Sequence, residues 1–206
     1  MTKKQKRKYK RGPFIILLLV ILIVLVAVWY FFFREKQAAV TVVSKIDGYN
    51  YYLDSNETRI YKKYYKELEA ELKDSKVDEE KYVEIISKLF SIDFYTLTNK
   101  LTNKDVGGIQ FIHSNLQESF ATNASSSLYK YVKSNLSGNR KQKLPEVNKV
   151  EVTDIEKVKY KNNDYKDDSS YQVTLEIGYV KDYDYPKKVT LTMIHEENKL
   201  SIVEVK

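Results

Sequence analysis

An α+β fold preceded by an apolar helix is predicted, and three observations predict it. Residues 13–33, PFIILLLVILIVLVAVWYFFF, form an unbroken apolar run. Residues 57–101 place apolar side chains three and four apart, the period of a helix. Beyond Pro145 the period becomes two, the alternation of half-buried strands. The expected whole is an N-terminal transmembrane helix followed by about three to four helices packed on a four-stranded antiparallel sheet.

The apolar run comes first because its physics is the most constrained. It has no charged residue, and its one hydroxyl is on Tyr30. At ~1.5 Å per residue a helix of this length measures roughly 31 Å, matching the ~30 Å hydrocarbon core of a bilayer. A helix satisfies every backbone group internally, which lipid demands. Phe14, Leu18, Leu22 and Leu25 are read as anchor residues, with Trp29 and Tyr30 at the outer boundary, where aromatic rings favour the headgroup level. A cleaved secretory signal has a shorter apolar region, roughly 7 to 15 residues, and a small-residue site directly after it. Here Gln37, Ala38 and Ala39 follow only after a charged cluster, so an uncleaved anchor is expected.

Charge sets the orientation. Lys3, Lys4, Lys6, Arg7, Lys8, Lys10 and Arg11 precede the run with no acid among them, whereas Arg34, Glu35 and Lys36 follow it. Positive charge stays cytoplasmic, so the N-terminus is expected inside and residues 34–206 outside, at the cell membrane. The whole chain carries +7, from 35 Lys and Arg against 28 acids. Removing the seven tail cations leaves equal numbers of each sign. The basic tail therefore reads as a topology determinant in contact with anionic lipid, and nucleic acid is not expected as a partner.

The expected organisation is a basic cytoplasmic tail (1–12), a transmembrane helix (13–33), a stalk (34–56) and an extracytoplasmic α+β domain (57–206). The chain has no cysteine, which excludes disulfides, thiolate metal sites and a thiol nucleophile. The outer domain must hold together by packing. Its length suits one core, and the 18 tyrosines supply large side chains with polar tips, fitted equally to a half-wet core edge or a protein contact.

Within the stalk, Val40 to Val43 form a β-branched patch that allows one short strand. From Glu57, Ile60, Tyr64, Leu68 and Leu72 recur every four residues, with N-cap oxygens offered by Asp54, Ser55 and Asn56 and an end at Asp74 and Ser75. Asp78 caps a second helix, with Glu79 and Glu80 in its first turn. Its apolar positions run Tyr82, Ile85, Ile86, Leu89, Phe90, Phe94, Leu97 and Leu101, so it is expected to be central and more than five turns long. After the NKDVGG turn, Ser114 and Gln117 have the spacing of a capping box that opens another helix. A further helix is expected over Leu128 to Asn135, starting near Ser125 to Ser127 and stopping near Gly138. The strands are expected at Val150 to Tyr160 with a bulge near Ile155, at Tyr171 to Tyr179, at Val189 to His195, and from Leu200 on, joined as a meander. Asn162 to Ser170 is read as a solvated tip lacking the spaced ligands of a calcium loop.

Candidate site residues are few. Asp93 falls near the apolar stripe of the second helix, where a carboxylate must be bonded, paired or neutralised. With Tyr95 and His113 it could line a pocket between helices and sheet. The Gly107 and Gly108 pair lacks the Lys and Ser/Thr of a phosphate loop and follows a helix, so it reads as a turn. Neither His113 nor His195 has a companion at HExxH spacing, and no GxSxG occurs. No motif calls for a cofactor, a metal or catalysis.

Span, stalk, helices and a curved four-stranded sheet in this order resemble the NTF2-like, cystatin-like domains, particularly the extracytoplasmic domains of VirB8-type and TcpC-like conjugation proteins. The stretch FSIDFYTLTNKLTNKDVGGIQFIHSN, residues 90–115, is also similar to uncharacterised single-span proteins of low-GC Gram-positive bacteria. The resemblance implies a non-enzymatic assembly factor that positions other envelope proteins or copies of itself. The alternative expectation is a domain that binds a small ligand or peptide in its pocket.

Overall fold

The computed structural model describes residues 11–33, 39–162 and 164–206, with side chains described from Ile15 to Trp29 in the first stretch. The chain divides into two units, Met1–Gln37 and Ala38–Lys206. In the first, α1 is a 23-residue helix, Arg11–Phe33. Leu18, Leu22, Leu25 and Trp29 are exposed on it. On the described residues alone, no helix is long and apolar enough to cross a membrane. Lys3, Lys4, Lys6, Arg7, Lys8 and Lys10 lie outside the described residues, as do the side chains of Arg11, Phe14 and Tyr30.

The second unit is α+β. Its element order is β1 (Val42–Ile46), β2 (Tyr51–Asp54), α2 (Arg59–Lys73), α3 (Glu79–Tyr95), 3₁₀ turns at Ile109–Phe111 and Ser114–Leu116, α4 (Gln117–Ser126), then β3 (Val147–Lys161), β4 (Lys166–Tyr179), β5 (Lys188–Glu196) and β6 (Lys199–Val205). The last four strands form an antiparallel meander in the order β3-β4-β5-β6, and α3 lies against β3 and β4. The core between them is filled by Phe90, Leu89, Ile92, Leu175, Leu191, Met193 and their neighbours.

Residues 42–54 correct the reading of 34–56 as a stalk. They form an antiparallel hairpin whose Tyr51 is fully buried. The Tyr51 hydroxyl donates to Leu200 O at 3.2 Å and shares a hydrogen bond with the Tyr82 hydroxyl at 2.7 Å. On the outer side of β2, the Gln110 amide accepts from Tyr52 N at 2.8 Å and donates to Tyr52 O at 3.1 Å, standing in for a strand. The apolar alternation here is too short to be distinguished by sequence from an extended linker.

Helix α2 buries Tyr61, Tyr65, Leu68 and Leu72, whereas Ile60 and Tyr64 of the expected face are only half-buried, so the buried stripe is turned toward Tyr61 and Tyr65. Its cap is Thr58, which accepts from Tyr61 N at 3.3 Å, because Asp54 is still in β2. Asp78 caps α3 as expected, accepting from Glu80 N and Lys81 N. That helix ends at Tyr95 instead of reaching Leu101. Thr96 is extended, its hydroxyl accepts from Val147 N at 3.1 Å, and Leu97 N donates to Pro145 O at 2.9 Å. Leu97 stays buried, so the apolar period outlasts the helix.

The capping box at Ser114 and Gln117 does not form. Ser114 opens a 3₁₀ turn, and Gln117 Nε2 donates to Ile112 O at 3.1 Å. Ser125, Ser126 and Ser127 lie at the end of α4, donating to Thr122 O and Asn123 O, and no helix covers 128–135. Hydroxyls returned to carbonyls one turn back offer the backbone a way out of the helix.

Both edges of the meander are guarded. Register shifts at Val147/Lys149, Val152/Asp154 and Val158/Tyr160 break the outer line of β3. On β6, His113 N donates to Ile202 O at 2.9 Å within a parallel bridge. The tip between β3 and β4 is shorter than the loop expected over 162–170, since β4 begins at Lys166.

Candidate functional site

The most concentrated chemistry lies where α3 ends. Asp93 sits in its last turn, and the chain after Thr96 doubles back so that Lys100 meets it. Lys100 Nζ is bonded to Asp93 Oδ1, and Gly108 N donates to Asp93 Oδ2 at 2.6 Å. The glycine pair makes this approach possible. A Cβ on Gly107 would stand 2.3 Å from Asp93 O, and Gly108 has φ 75° with Phe90 close by. Gly107 N donates to the Tyr129 hydroxyl at 3.1 Å, which itself donates to Phe94 O at 2.6 Å.

The second wall comes from the β2–α2 connection. Asn99 Nδ2 donates to Glu57 Oε2 and to Asn56 O, both at 3.3 Å, and Asn56 Nδ2 donates to Asn99 O at 2.9 Å. The amide oxygens of Asn56 and Asn99 are buried with no protein partner. Between the walls is a cleft of about 60 Å³ lined by Tyr52, Asp54, Asn56, Glu57, Asp93 and Lys100, among others.

Four acids, Asp54, Glu57, Asp93 and Asp105, around the one ammonium of Lys100 make the electrostatics lopsided. Burial lowers the Lys100 pKa, but the Asp93 carboxylate outweighs it, and the ammonium is held above the ordinary lysine value. Glu57 is pushed up to about 8, by burial first and by the Asp93 charge second. Asp54 is raised for the same two reasons in the same order. The Tyr61 hydroxyl is raised by burial and then by Asp93. Near neutral pH the cleft thus holds one ion pair and a carboxyl that keeps its proton.

Of the three residues expected to share a pocket, only Asp93 lines this cleft. Tyr95 is buried edge-on against Phe94, with ring centres 4.9 Å apart. His113 lies against β6, its Nε2 3.8 Å from Glu196 and its ring 4.4 Å from that of Tyr165. Sequence reasoning missed Lys100, because the period places it inside a helix, and Glu57, which reads as a helix start. The signal was the glycine pair, whose need for close backbone approach was legible without its target.

A cleft of this size admits a few water molecules, whereas small-molecule sites run to roughly 300–1,000 Å³. The larger depressions are open surface grooves. One of about 590 Å³ runs between Tyr64 and Lys88 on the helices and Val150 and Val152 on β3. Another of about 200 Å³ lies between Leu116 and Phe120 on one side and Ile202 and Val205 on the other. Among the described residues, no group of three or more His, Asp or Glu is arranged to hold a metal ion.

Fold and cleft together define an α+β domain whose helices cover an antiparallel meander and which holds the buried Asp93–Lys100 pair beside a small cleft. Comparison with family models, curated proteins and solved structures returns no match.

Proposed function

We propose that the chain is a single-pass membrane protein whose C-terminal domain works outside the cytoplasm as a non-enzymatic interaction module, a scaffold or assembly factor among envelope proteins or copies of itself. The observation that carries the reading is the filled interior. Tyr51, Tyr61, Tyr65, Phe90 and Phe111 are fully buried members of one hydrophobic core, and the cleft at Asp93 is only about 60 Å³. A ligand- or peptide-binding role needs an enclosed pocket there, so the working part of the domain is its surface. The anchor rests on the sequence run 13–33, which continues beyond the described side chains at both ends. Element order supports carrying the NTF2-like, VirB8-like likeness into this proposal as its architectural half.

A chain without cysteine suits the test. Lys4→Cys and Asn139→Cys are made separately and treated with a membrane-impermeant maleimide on sealed cells. Labelling of Asn139→Cys alone, with Lys4→Cys reacting only after lysis, is the expected outcome, and the reverse pattern overturns the topology. Cross-linking from Asn139→Cys in intact membranes then separates the roles. A defined envelope protein or a second copy, recovered reproducibly, supports the scaffold, and a chain that stays monomeric and unlinked counts against it.

A further inference from the structure

The meander is not equally supported along its length. Strand β5 pairs with β4 from Tyr171 to Glu176, whereas β3 and β4 continue to pair with each other out to Lys161 and Lys166. Residues 158–161 and 166–170 are therefore a two-stranded arm that continues past the β4–β5 pairing, with a register shift at its base between Val158 and Tyr160. A lone hairpin is marginally stable in water. What holds this one to the body is Asp167. Its Oδ2 accepts from His195 N at 2.9 Å and lies 2.8 Å from His195 Nδ1. The other ring nitrogen, Nε2, is 2.5 Å from Glu79 Oε1 in the first turn of α3. A second contact is the Tyr165 ring on His113, and Tyr160 of the same arm lies near Glu204 and Lys206.

An imidazole with a carboxylate at each nitrogen satisfies both only when both nitrogens carry hydrogen, which makes it the imidazolium. Without that proton, one lone pair faces a carboxylate oxygen at hydrogen-bond distance. We propose that His195 is a proton-operated latch: charged, it fastens the β3–β4 arm to the start of α3, and neutral, it releases the arm.

The groups that face it are Asp167 and Tyr171 from β4, Glu79 from α3 and Lys157 from β3, with Glu80 acting on Lys157. Glu196, next on β5, turns away to Ser114 and Ser201. Burial lowers the His195 pKa, but hydrogen bonds to Glu79 and Asp167 outweigh it and raise it above the usual histidine value. On Asp167, burial acts upward, and the hydrogen bonds from His195 and Ser169 prevail, holding it down at about 2. Glu79 is lowered, by its hydrogen bond to His195 first. A raised histidine contributes its full stability below about 6.5 and loses it as pH rises through the folded value. The depressed acids contribute above their ordinary values and lose that contribution only in strong acid. The latch therefore contributes in full from about pH 4.5 to 6.5, and it opens as pH rises further, through the raised histidine value.

Amide hydrogen exchange on the full chain in detergent micelles at pH 6 and pH 9, corrected for the intrinsic exchange rate, tests it. Protection over residues 158–170 should fall by about tenfold at the higher pH while α3 and β5 hold theirs. His195→Gln should remove the pH dependence of the arm. Glu79→Gln, a change at the surface, should shift the opening midpoint to lower pH by taking away one carboxylate. Equal protection of the arm at both pH values in the parent chain, an unaltered pH dependence in His195→Gln, or an unmoved midpoint in Glu79→Gln overturns the latch. Should His195→Gln fail to fold, the midpoint in Glu79→Gln decides.

Discussion

Lys100 and Asp93 are paired inside the protein, with only 3% and 6% of their surfaces exposed, and the Gly108 amide holds the second carboxylate oxygen at 2.6 Å. Two ions taken out of water lose solvation that their attraction only partly returns, so the pair itself adds little net stability. Breaking it is another matter. Lys100→Met leaves Asp93 charged and without its ammonium, and should cost about 3–5 kcal/mol. Asp93→Asn with Lys100→Met keeps an acceptor for the Gly108 amide and removes both charges, and should recover most of that loss. Urea unfolding of the two variants makes the comparison. A cost below about 1 kcal/mol for Lys100→Met alone would show that the ammonium is not what neutralises Asp93.

The glycines beside this pair differ from the others in what surrounds them. Gly108 and Gly138 both have positive φ, at 75° and 69°, but a Cβ on Gly138 meets nothing within 4 Å. Gly138→Ala should therefore cost only the left-handed backbone strain, about 1–2 kcal/mol. Gly108→Ala adds a Cβ 2.7 Å from the Phe90 ring, and Gly107→Ala places one 2.3 Å from the Asp93 carbonyl, where backbone must move. Both should lose more than about 3 kcal/mol. Thermal melting of the three ranks them, and a Gly107→Ala as mild as Gly138→Ala would mean the turn yields easily.

How far the sequence could be read follows from where the constraint is local. Asp78 as a helix cap and the alternation from Tyr171 to Tyr179 are decided by neighbours in the chain, and both appear where expected. The end of α3 is not local. It is set by Thr96 and Leu97 bonding to Val147 and Pro145, about 50 residues on. The hairpin at 42–54 likewise depends on Tyr82, Leu200 and Gln110, none of which its own residues announce. The site was half visible for the same reason. A carboxylate on an apolar stripe declares that it needs a partner, but Lys100 becomes that partner only because the helix stops short of it.

Glu57 gives a pH dependence of opposite sign to that of a salt-bridged acid. Its carboxyl ionises near pH 8 in the folded protein, against an ordinary value of 4.5. Between these values the folded state keeps a proton that the unfolded chain releases. The contribution is therefore complete below about 4.5 and is lost as pH rises to about 8, with a slope of at most about 1.4 kcal/mol per pH unit. Subtracting the stability profile of Glu57→Gln from that of the parent isolates the effect. A difference that does not change across this interval would place the carboxyl in water, contrary to its burial beside Asp93.

Arg140 acts on the same loop from outside. Its Nη1 donates to Lys100 O at 2.8 Å and Lys133 O at 3.0 Å, and its Nη2 to Leu97 O at 3.2 Å and Thr98 O at 2.8 Å. These are carbonyls of a chain that has left its helix and has no ladder to join, so the guanidinium supplies what secondary structure does not. Burial lowers its pKa, as expected for a cation among carbonyls. A planar fork can span four acceptors, whereas an ammonium concentrates its three donors at one point. Arg140→Lys should thus cost about 1–3 kcal/mol although the charge is kept. Faster amide exchange at residues 97–101 and 133–140 should accompany the loss, because the carbonyls released belong to those segments. If Arg140→Lys behaved like the parent and only Arg140→Ala were weakened, charge alone would be holding the loop, and the four-carbonyl geometry would carry none of the stability assigned to it.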